Sequence, residues 1–269
     1  MARGARRIPG GSGFSPRRTP PGPGRAHGPG RPGAGGETGP PGRGGHRHRQ
    51  DRNRLYLHVP GVDTRQRARA ASAHRLAEVA AAMVRARPGN YLMFFPSYSY
   101  LQAVLPWIRQ ALAGEAAIHV QHPAMRDEDK RRFLEHFRAG TARANLGLAI
   151  LGGLFGEGVD LPGERLIGVC LVGPGLPTFD EEQELIRRYF DEREERGFLY
   201  AYAVPGLIRV IQSAGRVFRA PEDRGVVVLL DDRFLDERYQ ELLPPDWFQA
   251  GRPFSREDFR EALAEFWDG

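Results

Sequence analysis

Only one of the 39 Lys and Arg residues is a lysine, Lys130. A phosphate-binding loop of the form GxxxxGK[ST] needs a lysine after a glycine-rich turn to reach the terminal phosphates of a nucleotide. Lys130 sits instead in "RDEDKRRFLEHF", a charged amphipathic stretch with no glycines before it. This sequence therefore holds no such loop. Cysteine is equally scarce: Cys170 stands alone inside "LIGVCLVG". That excludes a disulfide framework and any cysteine-held zinc or iron-sulfur cluster, and a thiol in such a run reads as a small buried hydrophobe. No run approaches the roughly 18 to 20 apolar residues that cross a bilayer. The N-terminus lacks the apolar centre of a signal peptide, so a cytoplasmic location with no membrane contact is expected.

What charge there is lies unevenly. Residues 1–50 contain ten Arg and one acid, Glu37, and so carry +9; the total of +6 less this +9 leaves −3 for the remainder. The basic character belongs to the first segment, and the rest must bind anions through placed residues rather than bulk charge. Residues 1–53, dense in Gly, Pro and Arg with only Ile8 and Phe14 as large apolar residues between Met1 and position 50, cannot bury enough surface to offset ordering entropy. They are expected to form a disordered tail. Two readings of it stand: an arginine-rich arm that touches phosphates without sequence preference, or an extension without function.

From residue 54 to 269 the pattern is that of one domain. "TRQRARAASAHRLAEVAAAMVRA" has the helical period and ends at "RPGN". "YLMFFP" follows as a strand, "SYSYLQAVLPWIRQALAG" as a helix, "AIHVQ" as a short strand and "RDEDKRRFLEHFRAG" as a helix. "LGLAILGG", "LIGVCLVG" and "GVVVLLDD" are apolar throughout, the mark of strands covered on both faces. Helices between such strands imply right-handed crossovers and a mostly parallel α/β sheet with helices on both faces. "FDEEQELIRRYFDEREERGF" reads as a solvated charged helix and "REDFREALAEFWDG" as a closing amphipathic one.

In open parallel sheets ligands gather beyond the carboxyl ends of the strands. Three segments then stand out: "PSYSY", "GGLFGEGVDLPGE" and the one leading into "QSAGRVFR". Read as a helix, the last places Gln212, Gly215, Arg216 and Arg219 on one side and Leu207, Val210, Ile211, Val217 and Phe218 on the other. Gly215 costs a helix up to about 1 kcal/mol relative to alanine, which suggests a close approach at that point. The arginines could simply bridge to Glu222 and Asp223. In the glycine loop, Gly152 and Gly153 free backbone amides to approach a phosphate or sugar, while Glu157 and Asp160, around Gly158, could hold a ribose hydroxyl, a water or an arginine.

Taken together, "FFPSY" (94–98), "GGLFGEGVD" (152–160) and "QSAGRVFR" (212–219) resemble the fourth, fifth and sixth motifs of the second, RecA-like motor domain of DinG/XPD-type ATP-dependent DNA helicases in superfamily two. "LPGERLIGVCLVGPGLP" and "DRGVVVLLDDRF" extend the likeness. The resemblance implies a P-loop NTPase-type fold and a motor in which ATP and Mg²⁺ lie between two such domains. The first would supply the phosphate loop and the metal-binding acids. Arg216 and Arg219 would act as catalytic arginine fingers on the terminal phosphate. Gln212, Gly215, Glu157, Gly158 and Asp160 would line the ATP site. Ser97, Tyr98, Gly152 and Gly153 would touch DNA, expected to be single-stranded, although Tyr98 also fits plain packing at a helix start. The guanidiniums are expected at the rim where the strands finish, and the reading would collapse were both buried in pairings within their own domain and pointed away from that rim.

The sequence departs from the family in lacking a phosphate loop, a DEAH-like acid box, the four-cysteine cluster of many relatives and the whole first motor domain. Fingers alone do not hydrolyse ATP, because metal and phosphate positioning supply most of the electrostatic stabilisation. The chain is therefore expected to be inactive by itself. Three readings remain: half of a motor whose first RecA-like domain is encoded upstream or on a separate polypeptide, a nucleic-acid-binding module without hydrolysis, or a fragment without activity.

Overall fold

The computed structural model describes residues 52–155, 159–248 and 256–269. The expected tail lies almost entirely outside them, as do Glu157 and Gly158. Six strands form one sheet: β1 (Arg54–His58), β2 (Asn90–Phe95), β3 (Ala116–Val120), β4 (Ala144–Ile150), β5 (Gly168–Val172) and β6 (Gly225–Leu230). Their spatial order is β1-β6-β5-β2-β4-β3, and every neighbouring pair is parallel.

Every residue of β2, β5 and β6 is buried. Alternate side chains of these strands pack into two separate cores, as the two-residue period of a pleated strand requires. Tyr91, Met93, Phe95, Cys170, Val172, Val226 and Val228 face one core, which is closed by α1 (Arg69–Ala86), α2 (Tyr98–Ala111) and the last helix. Leu92, Phe94, Val169, Leu171, Val227 and Leu229 face the other, covered by α3 (Asp127–Glu135), the helix Val204–Ala214 and the glycine loop's Phe155, Val159 and Leu161. Gly147 of β4 lies under Phe133 and Phe137, whose rings approach to within 2.7 and 2.8 Å of where a Cβ would stand. Burial drives the thiol of Cys170 well above the ordinary cysteine range, so it stays protonated.

α4 (Glu181–Glu194) buries none of its residues and is braced by Arg187 between Glu184 and Asp191. A π-helical turn, Leu199–Ala203, then leads without a break into α5 (Val204–Ala214). The short α6 (Glu237–Gln240) follows β6, and α7 (Arg256–Asp268) closes the first core through Phe259, Leu263 and Trp267.

α5 fixes the geometry of everything that follows. A connection between parallel strands must carry the chain from the carboxyl edge of the sheet back to its amino edge. α5 begins at the carboxyl edge, where Gly206 packs on the Pro174 carbonyl and Gly175 just beyond β5. It ends at the amino edge, where Val217 closes over Gly225, the first residue of β6.

Candidate nucleotide and nucleic-acid sites

The helix carrying the sixth motif stops sooner than its period suggests. α5 ends at Ala214, Gly215 caps it, and Arg216 and Arg219 project from the turn that follows. The turn is shaped by Asp223, a buried carboxylate one of whose oxygens accepts from the amides of Arg219 (2.6 Å) and Ala220 (2.7 Å). This acid thus holds the backbone and is not the guanidinium partner that its sequence position suggests. A Cβ at Gly215 would meet nothing closer than the Ile211 carbonyl at 3.4 Å, so the glycine admits no close approach from within this domain.

Both guanidiniums converge on a single backbone atom. Arg216 Nη1 and Arg219 Nη2 donate to the carbonyl of Val159, at 2.9 and 2.8 Å, which joins the fifth and sixth motifs. Arg216 is 7% exposed. Arg219 keeps 39% of its side chain in solvent and faces Asp160, itself 81% exposed, across 3.8 Å. Such an open ion pair contributes at most about 1 kcal/mol. Gln212 and Gly215 are exposed on the same end of α5.

This corrects the expectation for the arginines in two respects. They stand at the amino edge, because α5 has already carried the chain back across the sheet before they emerge. Arg216 is buried and hydrogen-bonded within its own domain, and of the two only Arg219 is substantially open.

The remaining candidates lie at the opposite edge. Ser97 caps α2, its Oγ accepting from the Tyr100 amide. Tyr98 receives a hydrogen bond on its hydroxyl from Gln121 Nε2 at 2.8 Å, and the Gln121 amide oxygen accepts from the Ile150 amide. That pairing ties the ends of β2, β3 and β4 into one rim. Gly152 turns there with φ +70°, and Gly153 follows. Tyr100, by contrast, is fully buried and bonded to Ser72.

Sequence reasoning passed over two cations on this rim. The stem of Arg209 in α5 crosses Gly152, with Cδ only 2.8 Å from where a Cβ would be. Arg69, at the start of α1, donates to the Thr64 carbonyl (3.1 Å) and to Ser97 Oγ (3.4 Å), its guanidinium over the Tyr100 ring. Among the described residues, no group of three or more His, Cys, Asp and Glu side chains gathers as a cation site.

An all-parallel six-stranded sheet with helices on both faces, its long glycine loop gripped by the helix before the last strand, defines a RecA-like domain. Residues 80–250 match the model of the helicase C-terminal domain. The chain belongs to that family, in its DinG/XPD-like branch of ATP-dependent helicases. It is 30% identical over 197 residues to the ATP-dependent helicase DinG of Mycobacterium tuberculosis, covering 71% of this chain and 27% of that protein. With a probable ATP-dependent helicase of Methanocaldococcus jannaschii it shares 29% identity over 161 residues, 55% of this chain and 24% of that one. A solved structure of XPD in its apo form superposes with a TM-score of 0.56 at 19% identity, over 71% of this chain and 38% of that chain. The Xpd4 structure of S. tokodaii gives 0.51 at 19% identity, over 72% and 38%. The chain thus spans about a quarter of the length of the curated relatives it matches.

Proposed function

We propose that this domain is the second half of an ATP-driven nucleic-acid motor, completed by a first RecA-like lobe that binds the nucleotide. The observation that carries the reading is the shared Val159 acceptor: residues 57 and 60 positions apart in sequence meet at one spot and concentrate cationic charge beside the exposed Asp160. Arg219 is the finger that reaches the terminal phosphate, because its guanidinium is open and its one acid partner among the described residues, Asp160, is a weak one. Arg216 adds charge from behind and holds the loop in register. Asp160 releases Arg219 when a phosphate, a stronger and more charged acceptor, comes within reach. Gln212 and the gap at Gly215 leave room for the nucleotide.

The arginines' position at the amino edge separates the two tasks. Nucleotide meets the end of α5, while nucleic acid runs over the carboxyl rim at Ser97, Tyr98, Gly152 and Gly153. Mg²⁺ would be held by the first lobe, and the metal would neutralise charge on the phosphates. The relatives' names as ATP-dependent helicases support ATP as the fuel.

The test is reconstitution. The purified chain alone should hydrolyse no ATP. Mixed with a DinG-type first lobe it should show nucleic-acid-stimulated hydrolysis, and Arg219→Ala should lower that by about 10³- to 10⁵-fold, the usual worth of an arginine finger. Turnover by the chain alone, or full activity in the Arg219→Ala mixture, would refute the assignment.

A further inference from the structure

Arg69 and Arg209 reach the carboxyl rim from opposite layers of the domain. Arg69 belongs to α1, which packs in the first core, and Arg209 to α5, which packs in the second. Between them lie Ser97 and Tyr98 beyond β2 and the Gly152 turn beyond β4, adjacent strands in the sheet. Each arginine is only partly buried, and among the described residues neither forms an ion pair. A guanidinium carries five donors. Arg69 commits Nε and Nη1, and Arg209 commits only Nη1, at 3.4 Å to the Gly175 carbonyl. Elsewhere in the domain, cations such as Arg85, Arg187, Arg233 and Arg238 are held by carboxylates. Two cations that no carboxylate among the described residues holds in an ion pair, at one rim of a segment whose formal charge is −3, are a local arrangement and not a by-product of bulk charge.

We propose that Arg69 and Arg209 form a two-sided phosphate grip for the backbone of single-stranded nucleic acid. Gly152 is part of the device: without a Cβ it lets the Arg209 stem lie flat across the turn and deliver the guanidinium to the rim. A chain of phosphates fits better than a lone anion. The cations enter from two faces with hydroxyls and a tyrosine between them, so successive phosphates rather than one group can meet them. The proposal rests on the reading that the rim is the nucleic-acid track, and it adds the residues that would supply affinity.

The experiment uses the full chain and a labelled oligothymidylate of about a dozen nucleotides, within the span single-strand sites occupy. Binding is followed against salt, and amide hydrogen exchange is followed at residues 97–101 and 150–153. Arg69→Gln and Arg209→Gln should each reduce the salt slope by about 0.7, the value of one single-strand phosphate contact. Both should diminish the protection that the oligonucleotide gives to those amides. Arg209→Lys should retain most of the slope, and Arg131→Gln, at an exposed position of α3, should change nothing. The ten arginines of residues 1–50 contribute equally to every variant, so differences isolate the rim. If the rim amides are protected but both glutamine variants keep the full slope, the grip is wrong and the track stands. Absence of rim protection in the native chain would defeat the track as well. Equal protection by inorganic phosphate at matched concentration would mark an isolated anion site and overturn the proposal.

Discussion

Replacing Asp223 by alanine should loosen the turn that presents Arg219. Two amides, of Arg219 and Ala220, donate to the same carboxylate oxygen, at 2.6 and 2.7 Å, and the residue is only 7% exposed. A hydrogen bond to an ionised acceptor is worth about 1.5 to 3 kcal/mol net, and an amide left unsatisfied where water is scarce loses a similar amount. Both donors belong to partly open residues, so water recovers some of the loss, and the expected cost of Asp223→Ala is about 2 kcal/mol. With a slope near 2 kcal/mol per molar urea, the unfolding midpoint should fall by about 1 M. Asn offers one amide oxygen that can occupy the same position, so Asp223→Asn keeps both bonds without the charge and should cost about 1 kcal/mol or less. Urea titrations followed by tryptophan fluorescence and by circular dichroism measure both. Equal destabilisation by the two substitutions, or a loss under about 0.5 kcal/mol for alanine, would show that the carboxylate does not organise this turn.

Two further predictions concern stability. His58, covered by Phe248, and His119, whose ring stacks on His136 at 4.1 Å, both titrate below the ordinary histidine value of 6.5, chiefly because burial disfavours their charged forms. The unfolded chain therefore takes up protons near pH 6.5 while the native one still resists them. Stability present above pH 6.5 should fall as pH drops below it, levelling off once the native rings also protonate. Midpoints measured from pH 7 to pH 5 should decline less in a His58→Gln, His119→Gln double variant, and an unchanged decline would reject this origin. A glycine pair tests the docking of α5. At Gly206 a Cβ would lie 2.5 Å from the Pro174 carbonyl oxygen and 3.0 Å from the Gly175 carbon and the Leu176 nitrogen, all backbone. Alanine there should cost about 1 to 3 kcal/mol despite its better helix propensity. At Gly215, with φ −60° and only ordinary contacts, the Ile211 carbonyl at 3.4 Å and the Gln212 carbonyl at 3.8 Å, alanine should be neutral or stabilise by up to about 1 kcal/mol. Thermal unfolding of both variants decides, and a Gly206→Ala protein as stable as the parent would mean that the helix does not abut that loop.

The parts of the fold legible in sequence are those where one physical demand dominates. β2, β5 and β6 are buried on both faces, and the continuous apolar runs "YLMFF", "GVCLV" and "GVVVLL" state that directly. β1 carries basic and apolar residues together in "RLYLH" and escapes such a reading. The π-helical turn at Leu199–Ala203 leaves no period of its own, and it merges into α5. For the site, motif spacing pointed to the fifth and sixth segments, but what joins them is the carbonyl of Val159, a main-chain atom that no residue identity encodes. The edge at which the arginines stand was within reach of the sequence. A helix feeding a parallel strand must end at the amino edge, and applying that rule to "GVVVLL" would have placed Arg216 and Arg219 there. Arg209 was hidden because an arginine on a helix is ordinary until the glycine beneath it is located.

That geometry bears on how the two proposed sites would communicate. Arg209 and Arg216, seven residues apart, hold opposite ends of the same glycine loop: one lies across Gly152, the other is bound to the Val159 carbonyl. The intervening chain is helix up to Ala214, packed through Leu207, Val210 and Ala214 into the second core, so it transmits displacement as a rigid piece. If nucleic acid engages Arg209 and nucleotide engages Arg219, whatever draws the Val159 end toward a phosphate also shifts the turn on which Arg209 rests. Thermodynamic reciprocity then requires each ligand to alter the other's affinity by the same factor. A reconstituted motor in which nucleotide changes oligonucleotide affinity should lose that change, in both directions, when Gly152→Ala lifts the arginine from the turn. An undiminished change in the Gly152→Ala motor would place the coupling elsewhere.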